Sequence, residues 1–209
     1  DLIRAQADRC RDILRSMGRA GKDDLHMRAA PLQAVVEEAA EPHSHRKVAV
    51  YIAPMHPSAP QPLILRRPEI IHGLRNLIQN AVDFARTSVW VDLAWQDDSV
   101  TLTITDDGPG FPPQLIGRIG DPFVRSRARP EGADPARAHY DGMGMGLFIA
   151  KTLLERTGAD LDFSNASDPF LSEEDRQARS GARVQVQWPL DRIAADAASL
   201  SGSNQPMRL

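Results

Sequence analysis

The chain has 209 residues, of which 42% are hydrophobic and 25% charged, enough to bury a substantial core. Its net charge of −3 excludes the basic footprint of a nucleic-acid-binding domain, and no apolar run approaches the roughly 18 residues a membrane span needs. The single cysteine, Cys10, excludes an internal disulfide framework and points to a reducing, cytosolic setting.

Residues 2–17 read as an amphipathic helix. Ile3, Cys10 and Met17 are seven apart, with Ala7 and Leu14 between them, an a/d seam flanked by charges. Gly18 and Gly21 close it. Two heptads cannot stand alone, and the sequence begins within this pattern without Met, so it is read as a piece of a longer protein. Cys10 has two readings: a small hydrophobe at a packing position, or a redox-sensitive thiol. Matching seam positions of a parallel dimer face each other, and Arg9 and Arg11 favour the thiolate. His26-Met-Arg-Ala-Ala-Pro31 mimics a phosphoacceptor box but lacks an acidic residue after the His and lies in a linker.

Pro31 opens a second helix, Leu32 to about Ala40. A strand follows over 47–52, with Val48, Val50 and Ile52 on one face. Pro54, Pro57, Pro60 and Pro62 mark a loop, and Leu63 to Leu65 form a short strand. Pro68 starts the longest helix, to about Ala85. Ile70, Ile71, Leu74, Leu77, Ile78, Ala81, Val82 and Ala85 form its core stripe. A second stripe is polar: His72, Asn76, Asn80 and Asp83. A solvated face normally carries Lys and Glu rather than two helix-unfavourable Asn residues, which marks this face as functional.

Val89 to Trp95 alternates as a strand, and Gln96-Asp97-Asp98 turns it into a second, Val100 to Thr105. That strand ends in Asp106-Asp107-Gly108-Pro109-Gly110-Phe111. Most such strings are plain turns; here a carboxylate sits at a strand end beside a tight turn with bare backbone. A loop region over 111–141 contains a short helix from Pro113 to Ile119, then Asp121-Pro-Phe123-Val-Arg125. A loop that long inside a domain is a functional lid or disordered. Gly142-Met-Gly144-Met-Gly146-Leu147 then feeds a helix carrying Lys151 and ending at Arg156, with Gly158 as cap. A glycine turn at a helix start is a phosphate site or a flexible hinge. Strands at 159–164 and 183–188 follow, and the tail from about Asp191 reads as frayed.

The order Asn-x-x-x-Asn helix, strand with Asp-x-Gly-x-Gly, lid, and Gly-x-Gly-x-Gly-Leu helix resembles the ATP-binding catalytic domain of sensor histidine kinases. That domain belongs to the superfamily, often called GHKL, that also holds gyrase and MutL ATPases. The resemblance covers about residues 22–189. The closer match is to RegB/PrrB-type redox-responding sensor kinases: Gln6 to Gly18 looks like the end of their dimerisation-and-phosphotransfer hairpin, with their redox cysteine at Cys10.

The resemblance implies an α/β sandwich of the Bergerat type. A mixed, mostly antiparallel sheet of about five strands would carry three helices on one face. Residues 1–20 would be a helix remnant, 21–189 the catalytic domain and 190–209 a flexible tail. The implied cofactors are ATP and Mg²⁺. Asp106 would accept the adenine exocyclic amine, Asn80 would ligate Mg²⁺, and Asn76 would stand where the ATPases carry a water-activating Glu; Asn76 and Asn80 are the catalytic pair. Phe84 and Asp83 would lie near the nucleotide, Gly108 and Gly110 would shape the turn, and Gly142, Gly144, Gly146 and Leu147 would form the phosphate loop. Phe123 and Arg125 would belong to the lid, with Lys151 neutralising phosphate charge. The implied partners are the kinase's own hairpin with its phosphoacceptor His, a response regulator and a second copy, in a parent anchored in the inner membrane. Three features depart from the pattern: Asp83 replaces a frequent Lys or Arg, Gly181-Ala182 replaces Gly-Thr, and none of the six His residues sits in an acceptor box. The alternatives are a GHKL-type ATP hydrolase, against which Asn76 argues, and a nucleotide-sensing scaffold that donates nothing.

Overall fold

The structure is a computed structural model describing residues 29–43, 47–55, 60–122, 124, 145–166 and 178–195. Three expected helices form. Helix α1 spans Leu32–Ala40, α2 spans Pro68–Phe84 and α3 spans Met145–Glu155. Pro68 occupies the first turn of α2, where its missing N–H costs nothing. Pro31 lies just outside α1, as its cap, because it is also the last residue of a strand. That strand, β1 (Ala29–Pro31), was not expected; it pairs antiparallel with β3 (Leu63–Leu65).

The main sheet has five strands. Strand β2 spans Ala49–Pro54, β4 Ser88–Trp95, β5 Ser99–Asp106, β6 Asp160–Asn165 and β7 Ala182–Pro189. Their spatial order is β2-β4-β5-β7-β6, and only the β2–β4 pair is parallel. A mixed, mostly antiparallel five-stranded sheet is what the sequence predicted. Strand β2 lies two residues later than expected. Pro54 reads as a loop residue but ends an edge strand, where a missing N–H is tolerated.

Alternation decides which face is covered. Val89, Val91 and Leu93 of β4, Val100, Leu102 and Ile104 of β5, and Val184, Val186 and Trp188 of β7 are all buried. They form one core with Leu32, Val35 and Val36 of α1, Leu74, Leu77 and Ile78 of α2, and Leu147, Ala150 and Leu154 of α3. Each such large side chain contributes about 1.5–3 kcal/mol by leaving water. The two longest helices meet at Gly73, where an added Cβ would stand 2.5 Å from Leu154 Cγ. The buried Trp188 indole donates to Thr157 Oγ1 at 2.9 Å, and that hydroxyl donates to Leu154 O. The opposite sheet face carries Tyr51, Trp90 and Asp92, none of them buried.

Residues 190–195 correct the expectation of a tail that is loose from 190 onward. Leu190–Ile193 form a short helix, α4. Ile193 is buried, Ala194 bridges to Ile64, and Ala195 N donates to Leu63 O at 3.0 Å. Leu190 and Ile193, the two large apolar residues of a six-residue stretch, were too weak a signal to find this anchor. Among the described residues no helix is long and apolar enough to cross a membrane.

Candidate nucleotide-binding site

Asp106 ends β5 and is 1% exposed. A carboxylate that deep must be hydrogen-bonded, and Oδ1 accepts from Gly108 N at 2.9 Å and Ala182 N at 3.0 Å. Its own carbonyl accepts from Gly181 N at 2.8 Å. The carboxylate is thereby oriented by the turn that follows it and by the start of β7. Two glycines make this approach possible. A Cβ at Gly181 would stand 2.0 Å from Asp106 Oδ1, and one at Gly108 would stand 2.3 Å from Phe84 O. Gly181 therefore matters as a steric requirement. The Ala182 side chain does not weaken the contact, since the donor is its backbone.

Gly110 adopts a φ of +74°, which favours glycine. Its turn is clamped by Asn165 at the end of β6. The Asn165 amide accepts from Phe111 N at 2.6 Å and donates to Phe111 O at 2.9 Å. The Phe111 ring is buried and meets Phe163 edge to face, ring centres 6.2 Å apart. The start of the loop after the Asp106 turn is thus fixed in the core. Asp107 faces the other way. It accepts from Arg86 N, Thr87 N and Thr87 Oγ1, fastening the α2–β4 connection to the end of β5. Partial burial opposes its charge, but hydrogen bonds from the Thr87 side chain and from the Thr87, Ser88 and Arg86 backbone prevail, and its pKa is lowered.

The polar stripe of α2 ends at this turn. His72, Asn76, Asn80 and Asp83 are all half-buried on the helix, and Phe84 closes it against Gly108. Asn76 Nδ2 donates to His72 O at 3.0 Å, one turn back. Asp83 accepts from Gln79 Nε2. Burial lowers the His72 pKa, with nearby Arg75 adding to the effect and Glu69 opposing it. On α3, Leu147 is buried, whereas Gly146 is exposed and a Cβ there would meet no atom of the described residues within 4 Å. Among the described residues no neighbour accounts for that glycine. Lys151 lays its stem over Gly120, which has a φ of +89°, and its Nζ lies 3.9 Å from Glu155.

The structure therefore brings the end of α2 (Phe84), Gly108, Gly110 and Asp106 together at the ends of β5 and β7. Gly142, Gly144, Phe123, Arg125, Cys10 and His26 lie outside the described residues. Asn165 is a contributor that the sequence reading did not name. Gly181 entered it only as part of the Gly181-Ala182 pair, and Phe111 only as the last residue of the Asp106 turn.

Residues 66–192 match the family described as histidine kinase-, DNA gyrase B- and HSP90-like ATPase. The chain belongs to that family. Within it the domain is of the sensor histidine kinase kind, and ATP is the family's ligand. The sensor histidine kinase RegB of Cereibacter sphaeroides is 63% identical over 197 residues, covering 92% of this chain and 42% of that protein. The chain thus spans less than half the length of this relative. The mycobacterial sensor histidine kinase MprB, 22% identical, superposes with a TM-score of 0.57 over 77% of this chain and 95% of its own; it shares the fold. ShkA, whose full-length structure was solved in complex with AMPPNP, is 25% identical with a TM-score of 0.57 over 82% of this chain and 32% of its own.

Proposed function

We propose that this domain binds ATP·Mg²⁺ and presents the γ-phosphoryl to a histidine on a separate helical hairpin of a two-component sensor kinase. The observation that carries the reading is the buried Asp106 carboxylate, held in a fixed orientation by two backbone amides. Such an acceptor matches the adenine exocyclic amine and opposes the guanine carbonyl. Leaving buried polar groups unpaired is how a site rejects an analogue, by up to about 10⁴-fold in strong cases. Gly146, exposed in the first turn of α3, suits the approach of a phosphate group at a helix start.

Asn80, half-buried on the polar stripe of α2, offers a side-chain amide oxygen, and Mg²⁺ is ordinarily held by one or two side chains, water and substrate phosphates. Asn80 is the side chain we assign to it, and the ion would neutralise charge on the phosphates. Asn76 has an amide that cannot act as a general base at neutral pH, which favours transfer to a protein side chain over hydrolysis. Phosphoryl transfer asks mainly for positioning and charge stabilisation. Phe84 and Asp83 flank the nucleotide, and Lys151 adds positive charge. A response regulator, a second copy and a membrane-anchored parent complete the reading.

The test combines binding and transfer. Asp106→Asn and Asn80→Ala should each weaken ATP·Mg²⁺ binding at least tenfold by calorimetry, a loss of about 1.4 kcal/mol or more. Labelled γ-phosphate should pass to a supplied histidine-bearing hairpin. Unchanged affinity in both variants would falsify the site; binding without transfer would leave a nucleotide sensor.

A further inference from the structure

The start of β7 is fastened from a direction the nucleotide site does not use. Arg179 precedes Gly181 by two residues and reaches over the outer sheet face. Its guanidinium donates to Asp92 Oδ2 on β4 and stands 5.2 Å from the centre of the Trp90 ring. Trp90 in turn stacks on Tyr51 of β2, ring centres 6.2 Å apart and planes inclined by 21°. Arg179 and Asp92 are each only about a fifth exposed, at 22% and 21%, so the pair is partly shielded from water. A planar guanidinium held by a carboxylate and an aromatic face has little freedom to wander.

What this strap holds is the stretch that touches Asp106. Gly181 N bonds Asp106 O, Ala182 N bonds Asp106 Oδ1, and Gly181 lies so close that no Cβ fits. Trp90 pairs with Thr105, the residue before Asp106. The outer-face contact and the buried carboxylate therefore share one short piece of chain, on opposite sides of the sheet.

We propose that Arg179 is a positioning residue for adenine recognition, locking Gly181 and Ala182 so that Asp106 keeps the orientation that accepts the exocyclic amine. The proposal rests on the reading of Asp106 given above. It makes Arg179 act on the base and not on the phosphates.

Calorimetry on the 209-residue chain with ATP, GTP and inorganic tripolyphosphate, each with Mg²⁺, tests it. Arg179→Ala should weaken ATP about tenfold, a coupling usual for groups in one network. It should leave tripolyphosphate unchanged and narrow the preference for ATP over GTP. Asp92→Asn should move ATP in the same direction, and Arg179→Ala with Asp92→Ala should lose no more than Arg179→Ala alone. ATP affinity within twofold of the parent in folded Arg179→Ala overturns the proposal. So does an equal loss for ATP and tripolyphosphate, which is what a merely loosened fold would give. If Arg179→Ala does not fold, Arg179→Lys, which keeps the charge and loses the fork, carries the same test with a smaller loss confined to ATP. Asp106→Asn separates the two readings. If it loses ATP while Arg179→Ala does not, only the Arg179 assignment fails; if it retains ATP, the adenine reading itself fails.

Discussion

Asp106 and Asp107 are neighbours with opposite duties. The first is buried and turned toward the start of β7; the second sits near the surface and ties Arg86 and Thr87 to the strand end. Because hydrogen bonds hold the Asp107 pKa below its ordinary value, the folded state is favoured wherever the unfolded chain is also ionised. That contribution is full above about pH 4 and is lost as pH falls through the lowered pKa. Asp107→Asn should cost about 1 kcal/mol at pH 7 in urea unfolding and flatten the stability profile below pH 4; parallel profiles would refute this. His72 acts in a separate window. Its lowered pKa means that only the unfolded chain takes up the proton as pH first falls below about 6.5, so stability declines there. At this scale Asp106 was legible because strand alternation and two glycines announced it. Asn165 and Ala182 were not: they lie 54 and 76 residues from the groups they bond, and nothing local in a sequence encodes such a meeting.

Helices α2 and α3 each carry a glycine that propensity alone would replace, and the two should respond oppositely. Alanine gains up to about 1 kcal/mol over glycine inside a helix. At Gly73 the new methyl would lie 2.5 Å from Leu154 Cγ, and overpacking costs about 1–3 kcal/mol. Gly73→Ala should therefore destabilise in denaturant, and the penalty should shrink in a Leu154→Ala background, where the neighbour is gone. Gly146 meets none of the described residues. Gly146→Ala should leave stability equal or higher while weakening ATP·Mg²⁺ binding, a combination that a purely structural glycine does not give. The helices were legible as elements: the 3.6-residue stripe of α2 matches its buried positions from Ile70 to Val82, and the glycine turn announced α3. Their mutual contact was not, because Gly73 lies inside a strong helical pattern and reads there as a mild flaw.

At the scale of the whole molecule, the sheet and its covered face followed from alternation, while its closure at residues 190–195 did not. Ile193 is 1% exposed and stands next to the contact between Ala194 and Ile64. Ile193→Ala should destabilise by about 2–4 kcal/mol in urea unfolding, the usual cost of emptying a core site. A cost below 0.5 kcal/mol would mean that this turn is an ornament on a domain complete at Pro189. Strand β1 escaped notice for a related reason: three residues paired only with Leu63 to Leu65 give no period to read.

The place of β7 has a consequence for how the domain comes into being. Among the described residues it is the last strand in sequence, yet it lies between β5 and β6. As the chain is made from its N-terminus, β5 waits with one edge open until residues 182–189 arrive and insert beside it. The same insertion delivers Gly181 and Ala182 to Asp106. Assembly of the sheet and assembly of the hydrogen bonds that hold Asp106 are therefore a single event. On the proposed reading of Asp106, a nascent or truncated chain lacking β7 has no adenine acceptor in register, so nucleotide rewards only the finished domain, by mass action on its folded form.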